Sequence, residues 1–420
     1  MRDNISINGC SCSRRDFLRK GLYGIGISAG LPAILQNTSI ALAAESLLDD
    51  GESHPNRILV VVELSGGNDG LNTIVPYGDD EYYRMRPRIG IPQNDLLKID
   101  DAFGFHPSLE GFEQLYKDGD MAVVHGCGYD NPTLSHFAAM GFWHTGVPNG
   151  GEKLGWVGRL ADEHYPHAKR NLIVNIGNSQ SPAVRSGAHT PLVFNNPTSF
   201  RRQGIEEQEA VFKHLSQAKR SENESLEFLT KVADNAAESS KLVRDIFAAY
   251  RSTVDYGAGV GLGNDLRKVA ALIEAKMPTR LYYVSYQGNA FDTHVHQADL
   301  HTRLLMYTAD GVRGFMQDLE RIGRAEDVAV MMFTEFGRRV EENASLGTDH
   351  GTATPMFVFG KGVTGGLYGE HPSLTKLDDG NLIKTTDFRE VYATLIEEWL
   401  GYKHSEAILK GDFPTLGLFA

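Results

Sequence analysis

The chain has 420 residues, of which 41 are basic and 54 acidic, giving a net charge of −13. This acidic balance argues against nucleic acid or an anionic membrane surface as a partner, because both repel negative charge. The hydrophobic content of 41% is ordinary for a globular protein, and the length allows one large α/β domain or two smaller ones.

The first 43 residues contain the three parts of an export signal in order. Arg14 and Arg15 are adjacent, residues 21–35 are apolar and glycine-rich, and Ala41 and Ala43 flank Leu42 in a small-x-small cleavage site. Paired arginines predict a twin-arginine signal peptide, export to the periplasm in the folded state, and the twin-arginine translocase as a partner. A buried helix and an uncleaved anchor are the alternatives. No later segment is apolar for long enough to span a bilayer.

A polar leader at 44–56 is predicted to separate the signal from a domain at 57–420. Cys10 and Cys12 lie within the signal, so the exported chain keeps only Cys127. One cysteine cannot form an internal disulfide, and we expect Cys127 to be a small buried residue.

Six short runs rich in β-branched residues each end at a turn or polar loop and are predicted to be strands. They lie at 58–64, 121–124, 172–176, 281–286, 328–333 and 355–359. Helical patterns lie between and after them, at 107–118, 135–144, 298–322 and 387–400. This alternation predicts an α/β fold with a largely parallel central sheet flanked by helices. In such sheets the active site lies beyond the carboxyl ends of the strands.

Residues 206–251 have a different composition, rich in Ala, Glu, Lys and Ser and poor in β-branched runs. They are predicted to form two helices of a cap inserted at about 200–256. The glycine-rich stretch at 256–263 follows no strand and lacks the spacing of a nucleotide-binding loop, so a hinge is the better interpretation.

Potential ligands and nucleophiles follow five of the predicted turns. They are Asp69, Ser135 with Thr133 as its reserve, Asp292 with His296, Glu335 with Arg338, and His350. Aspartate and histidine bind zinc and similar divalent ions. Asp292 and His296 share a face on a helical turn, whereas on a strand positions 292, 294 and 296 share one.

A hydroxyl such as that of Ser135 at a helix start meets free backbone N–H groups and suits a nucleophile that attacks an anionic ester. Each candidate also has a structural alternative. Asp69 precedes glycine, as in an Asx turn; Ser135 is a good helix cap; Glu335 is a possible ion-pair partner of Arg338 or Arg339.

Five motifs together make the chain resemble an exported bacterial family, domain of unknown function 1501. They are Leu64–Asn72, Ser135-His136-Phe137, Phe291–His294, Thr334–Arg339 and Gly347–Gly351. That family is in turn similar to the alkaline phosphatase and sulfatase superfamily. The resemblance implies an alkaline-phosphatase-like fold and metal-dependent chemistry with a serine, threonine or modified cysteine nucleophile.

The resemblance also implies roles for residues. Asp69 matches a metal ligand, Ser135 the nucleophile, and Asp292, His296 and His350 the ligands of one metal. Glu335 matches a ligand of the second metal, but Phe336 stands where the superfamily has histidine. That departure leaves at most Asp69, Glu335 and Ser135 at the second site, with Asp349 or His294 as a further candidate. Such an oxygen-rich set suits magnesium, calcium or manganese better than zinc, and the alternatives are one metal or none. Arg338 is then the expected positive charge for the substrate.

The sequence therefore predicts an exported metal-dependent hydrolase whose substrate is a small anionic ester of phosphate or sulfate. The alternative is an exported binding or assembly protein, without catalysis, on a decayed hydrolase scaffold. A metal-binding protein without catalysis is the third possibility.

Overall fold

The computed structural model describes residues 56–168, 170–200, 239–258, 261–286 and 288–419. The predicted signal peptide lies outside the described residues, as does the predicted leader except for residue 56. Most of the predicted helical cap also lies outside them, and in its described part residues 239–249 are helical. Across the described ranges, no helix has the length and apolar character needed to cross a membrane.

The strands and helices alternate along the chain. The strands are β1 (Ile58–Leu64), β2 (Ile74–Val75), β3 (Leu97–Lys98), β4 (Gly104–Phe105), β5 (Met121–Gly128), β6 (Ile173–Ile176), β7 (Leu192–Phe194), β8 (Leu281–Tyr286), β9 (Val328–Phe333), β10 (Arg338–Glu342), β11 (Thr348–His350), β12 (Thr354–Phe359), β13 (Gly366–Tyr368), β14 (Leu377–Asp378), β15 (Asn381–Leu382) and β16 (Thr386–Asp387). The α-helices with defined ends are α1 (Asp80–Met85), α2 (Glu110–Lys117), α3 (His136–Thr145), α4 (Trp156–His164), α5 (Leu262–Glu274), α6 (Gln297–Arg321), α7 (Phe388–Thr394) and α8 (Ser405–Leu409).

Nine of these strands form one central sheet. Its order is β13-β5-β12-β9-β1-β8-β6-β7, and β16 also pairs with β5. Within this sheet every described pairing is parallel except those of β12 with β5 and with β9. The predicted α/β class with a largely parallel sheet flanked by helices is confirmed.

The centre of the sheet follows from the apolar run at 58–64. All seven residues of β1 are buried, and Val61 lies in register between Tyr283 of β8 and Met331 of β9. Alternate side chains enter two cores: Val60 packs with residues of α5 and α6, and Val61 with residues of α3, α4 and α7. Burying each valine stabilises the fold by about 1.5–3 kcal/mol, so both helical layers are needed to cover a strand that is apolar on both faces.

Several elements differ from their predicted extents, and the structure explains two of these differences. β5 continues to Gly128 because Cys127 pairs with Thr354 of β12 on one side and with Thr386 of β16 on the other. The predicted helix at 387–400 is α-helical only through α7 and continues as a π-helix over Leu395–Trp399. Cys127 is buried and free, as predicted.

The parallel strands determine where polar loops gather. β1, β5, β8 and β9 all run in the same direction, so their carboxyl ends lie at one edge of the sheet. The loops that follow them contain Gly66, Ser135, Asp292 and Glu335, respectively. These loops therefore form the candidate site.

Candidate functional site

The loop after β1 supplies backbone donors to a buried carboxylate. Gly66 and Gly67 have φ of 121° and 76°, a region that favours glycine. Their N–H groups donate to the Glu335 carboxylate at 2.9–3.1 Å. A Cβ on Gly66 would lie 2.5 Å from the backbone nitrogen of Asp292, so only glycine allows the two loops to pass this closely.

Glu335 connects three loops and orients a histidine. Its side chain is fully buried, and besides the two glycines it accepts a hydrogen bond from the Thr334 hydroxyl at 3.1 Å. Its Oε1 lies 2.8 Å from Nδ1 of His136, the first residue of α3. A carboxylate that holds one ring nitrogen fixes the orientation of an imidazole and leaves the other nitrogen for a ligand.

His136 presents that second nitrogen to Asp292. Nε2 of His136 lies 3.3 Å from Asp292 Oδ2, and among the described residues this buried atom has no hydrogen-bond partner. The hydrogen bond with Glu335 raises the pKa of His136. The raised pKa favours a proton on His136 when no metal is bound, and a bound metal takes the place of that proton. The buried, oriented Nε2 is therefore a candidate metal ligand.

Two further histidines approach the same carboxylate. Nδ1 of His350 lies 3.0 Å from the Leu134 carbonyl, which leaves its Nε2 3.1 Å from Asp292 Oδ1. Nε2 of His294 lies 2.8 Å from Asp292 Oδ1 and 3.0 Å from Nε2 of His350. Partial burial lowers the pKa of His350, which favours its neutral, ligating form.

Asp292 is held in its ionised form. Partial burial acts to raise its pKa, but the hydrogen bond from Arg338 at 2.8 Å and the interaction with His350 outweigh this and lower it to about 2. At neutral pH Asp292 is therefore a carboxylate at the centre of the three histidines.

His136, Asp292 and His350 together form a candidate metal site, which we call the metal cluster. Their ligand atoms all lie within 4.8 Å of one another, and no separate described group of three or more His, Cys, Asp or Glu side chains meets this distance. Two imidazoles and a carboxylate are a common zinc donor set, and three protein ligands leave a fourth position open, as in catalytic zinc sites. The unpartnered Nε2 of His136 is the observation that fits a metal best.

Asp292 and His350 were predicted to be metal ligands from the sequence, whereas no role was predicted for His136. The feature of the sequence that could have identified His136 is its position at the start of a helix that follows a strand of the parallel sheet. The adjacent Ser135 was predicted to be the nucleophile. The orientation of the His136 imidazole depends on its contact with Glu335, 199 residues away, which local sequence does not predict.

Asp69 differs from its predicted role as a metal ligand. It is fully buried and pairs with Arg86, whose Nη1 lies 2.7 Å from Asp69 Oδ2. The same oxygen accepts from Gln297 at 2.5 Å, and Oδ1 caps the short helix at Gly70–Asn72. The Arg86 guanidinium neutralises the Asp69 carboxylate, for which a metal ion was the predicted partner. The structure therefore does not bring Asp69 into the metal cluster.

His296 also lies outside the metal cluster. It is exposed and caps α6 with a left-handed φ of 45°. The helix begins only after His296, so residues 292–296 do not form the helical turn that would align Asp292 with a residue four positions later. Asp292 instead meets His294, the residue two positions later.

Arg338 lies in the interior of the site rather than at a surface where a substrate binds. Its side chain is 0% exposed and donates to the carbonyls of Gly66 and Gly67 at 2.5 and 2.6 Å as well as to Asp292. Because these donors are occupied by protein oxygens, Arg338 positions the loops and Asp292 in this structure.

Ser135 lies at the start of α3, directly before His136. It is exposed, it precedes a helix of ten residues, and its hydroxyl makes no hydrogen bond to the described part of the chain. Thr133 differs, because its Oγ1 accepts from the Ser135 N–H at 3.3 Å. Ser135 therefore offers the freer hydroxyl, and Thr133 supports the Ser135 backbone.

Comparison with known proteins gives a family and several distant structures. A family described as "Protein of unknown function (DUF1501)" matches residues 56–405. No curated protein matches the chain in sequence.

Similar solved structures include a protein of the alkaline phosphatase superfamily from Vibrio parahaemolyticus, with 9% identity, a TM-score of 0.42 and coverage of 87% of this chain and 74% of that one. They include the PsFucS1 sulfatase from Pseudoalteromonas sp. (12%, 0.39, 87% and 72%) and the lipoteichoic acid synthase LtaP from Listeria monocytogenes (10%, 0.38, 78% and 71%). Because the family match extends over residues 56–405, the chain belongs to the DUF1501 family of proteins of unknown function.

Proposed function

We propose that the chain is a metal-dependent hydrolase of phosphate or sulfate esters. The observation that carries this proposal is the exposed, unpartnered Ser135 hydroxyl directly beside His136, whose Nε2 approaches Asp292 and lacks a hydrogen-bond partner. A nucleophile and a candidate metal ligand in consecutive residues can act on the same ester group.

His136, Asp292 and His350 are the proposed metal ligands. Two imidazole nitrogens favour zinc, whereas magnesium, calcium and manganese prefer sites made mainly of oxygen. When bound, such an ion lowers the pKa of a nearby hydroxyl or water and stabilises negative charge on an ester oxygen. Glu335 and Arg338 support the proposed ligands through His136 and Asp292.

Ser135 is the proposed nucleophile. Its Oγ loses a proton and forms a bond to the phosphorus or sulfur atom while the bond from that atom to the leaving oxygen breaks. The leaving oxygen takes up a proton and departs as an alcohol. Water then attacks the same phosphorus or sulfur atom and breaks its bond to Oγ, which releases inorganic phosphate or sulfate and restores the hydroxyl.

The helix start supports this chemistry. The first described backbone bond within α3 runs from Ala139 N–H to Ser135 C=O at 2.8 Å, so the three N–H groups before Ala139 precede the helical ladder. Free N–H groups and the positive end of the helix dipole stabilise an anionic group held at Ser135.

Elemental analysis of the purified chain, together with turnover of p-nitrophenyl phosphate and p-nitrophenyl sulfate, tests the proposal. We expect about one zinc or similar ion per chain and turnover of at least one ester that is lost with a chelator and restored by metal. Metal without turnover supports the third possibility, a metal-binding protein without catalysis. No metal under any loading condition, with no turnover, excludes both metal-dependent functions.

We also propose that the chain is exported by the twin-arginine route, on the basis of Arg14 and Arg15. Changing both arginines to lysine keeps their charge and removes the pair that defines this signal class. We expect the variant to stay in the cytoplasm at full length, measured by cell fractionation against the unchanged chain. Equal export of both proteins would contradict this route.

A further inference from the structure

His294 lies against the metal cluster but has no role in the proposed function. Its Nε2 lies 2.8 Å from Asp292 Oδ1 and 3.0 Å from His350 Nε2, and the centres of the two imidazole rings are 4.7 Å apart. The same Asp292 oxygen lies 3.1 Å from His350 Nε2. His294 therefore places a third potential ligand atom within 3.1 Å of the atoms of two proposed ligands.

The other contacts of these side chains indicate that all three atoms are acceptors. Nδ1 of His350 lies 3.0 Å from the Leu134 carbonyl oxygen, which only accepts, so the neutral imidazole has its proton on Nδ1 and a lone pair on Nε2. Nε2 of His294 lies 3.3 Å from Arg338 Nη1, and a guanidinium only donates, so this nitrogen also accepts. With Asp292 ionised, no proton lies between the three atoms, and they repel one another unless a cation binds all three.

The three histidines around Asp292 share one arrangement. Each Nε2 is directed at the Asp292 carboxylate, at 2.8–3.3 Å from one of its oxygens. Each Nδ1 is directed at a protein oxygen: Glu335 at 2.8 Å for His136, Leu134 at 3.0 Å for His350, and Asp349 at 3.7 Å for His294. A metal-bound histidine almost always has a carboxylate, a carbonyl or water at its second ring nitrogen. His294 thus has the same orientation as the two histidines of the metal cluster, with the loosest support.

The separations between these atoms suit ligands of a single ion. Zinc bonds to nitrogen and oxygen of about 2.0–2.1 Å, at tetrahedral angles, keep neighbouring ligand atoms about 3.3–3.4 Å apart. The Nε2 atoms of His294 and His350 are 3.0 Å apart, and His136 Nε2 lies 3.3 Å from Asp292 Oδ2. Small rotations of the side chains are enough to place one ion among them.

The charge around the metal cluster also suits a divalent cation. Asp292, Glu335 and Asp349 each contact one or more of the three histidines through a carboxylate. Within the described part of the chain, Arg338 is the only arginine or lysine that forms an ion pair with any of these carboxylates. Three carboxylates and one guanidinium leave two negative charges, which a divalent ion neutralises.

We propose that His294 is a fourth ligand of the metal ion, which then has three imidazoles and one carboxylate as its donors. Three nitrogen donors favour zinc and neighbouring transition metals over magnesium and calcium, which prefer oxygen. This assignment rests on the proposed function for the presence of the ion, and it requires no ester turnover.

Titration of the metal-free full chain with zinc tests the assignment without a substrate. We expect His294→Asn to raise the dissociation constant for zinc by about tenfold or more, because the ion loses one of its imidazoles. His296→Asn is the matched control, since it makes the same change two residues later at an exposed histidine outside the metal cluster. We expect this control to bind zinc as the unchanged chain does.

Proton NMR of the cobalt(II) form separates a ligand from a residue that only supports other ligands. Each imidazole that binds cobalt through Nε2 gives a strongly shifted, exchangeable signal from its Nδ1 proton. We expect three such signals in the unchanged chain and in His296→Asn, and two in His294→Asn, because each signal counts one bound histidine.

Three results overturn the assignment: no zinc binding by the unchanged chain, equal zinc affinity in the two variants, or weaker zinc binding by His294→Asn with all of the shifted signals kept. Metal-dependent ester turnover together with equal zinc affinity retains the hydrolase and removes His294 from the metal site. Zinc binding that depends on His294, in a chain that turns over no ester, retains the four-ligand site and removes the hydrolase.

Discussion

Changing His136 to asparagine is expected to remove the bound metal from the chain and, with it, ester turnover. The imidazole supplies one of three proposed ligands, and asparagine cannot present a nitrogen lone pair at the same place. Residues that only orient a ligand account for about 10- to 100-fold in metal affinity, so loss of a ligand itself is expected to exceed about 100-fold. Metal content after dialysis, followed by titration with zinc, measures the effect.

His296→Asn is the matched control for this experiment. It makes the same substitution at an exposed histidine four residues after Asp292, and asparagine tolerates the left-handed φ of 45° found there. We expect this variant to keep its metal. The opposite result, with metal lost in His296→Asn and kept in His136→Asn, would restore the ligand pair suggested by the family resemblance and remove His136 from the metal cluster.

Changing Ser135 to alanine is expected to abolish turnover while leaving metal content unchanged. The substitution removes the proposed nucleophile, and its hydroxyl makes no hydrogen bond to the described residues whose loss would disturb the fold. In a mechanism with a covalent intermediate, removal of the nucleophile leaves only background reaction, a loss of roughly 10⁴-fold or more in kcat. Steady-state kinetics on the best aryl ester, with elemental analysis of the same sample, measures both quantities.

Thr133→Ala serves as the control for Ser135→Ala. Thr133 supports the Ser135 backbone through a single hydrogen bond at 3.3 Å, so its loss is expected to reduce kcat by about tenfold or less. A reversed order, in which Thr133→Ala is inactive and Ser135→Ala is not, makes Thr133 the nucleophile. If both variants keep full turnover, a metal-bound water is the better candidate for the attacking group.

The strands of the central sheet were the most predictable part of the fold. The runs at 58–64, 281–286 and 328–333 are strands with the predicted bounds, because buried parallel strands need continuous apolar segments that end at turns. The direction of β12 was not predictable in the same way. An antiparallel strand with both faces buried has the same local pattern as its parallel neighbours, and only the path of the chain decides its direction.

The candidate site was predictable in its location and less so in its membership. The rule that sites lie at the carboxyl ends of parallel strands led to loops that the structure brings together, including those with Asp292 and His350. It could not separate Asp69 from these residues, because the partner that neutralises Asp69 is Arg86 on a different segment. The spacing left both His294 and His296 open as partners of Asp292, and the family resemblance selected His296. The backbone between Asp292 and α6 is not helical, and Asp292 meets His294 instead.

Glu335 and Arg338 form hydrogen bonds with residues that are far away along the chain. Glu335 bonds Gly66 across 269 residues and His136 across 199, and Arg338 bonds Gly66 across 272. Contacts of such separation form late, after most of the chain entropy has been lost. A ribosome-bound chain that ends before Glu335 therefore lacks the buried carboxylate that orients His136. The metal cluster therefore forms late in folding, and the proposed metal ion would stabilise only chains that have completed the central sheet.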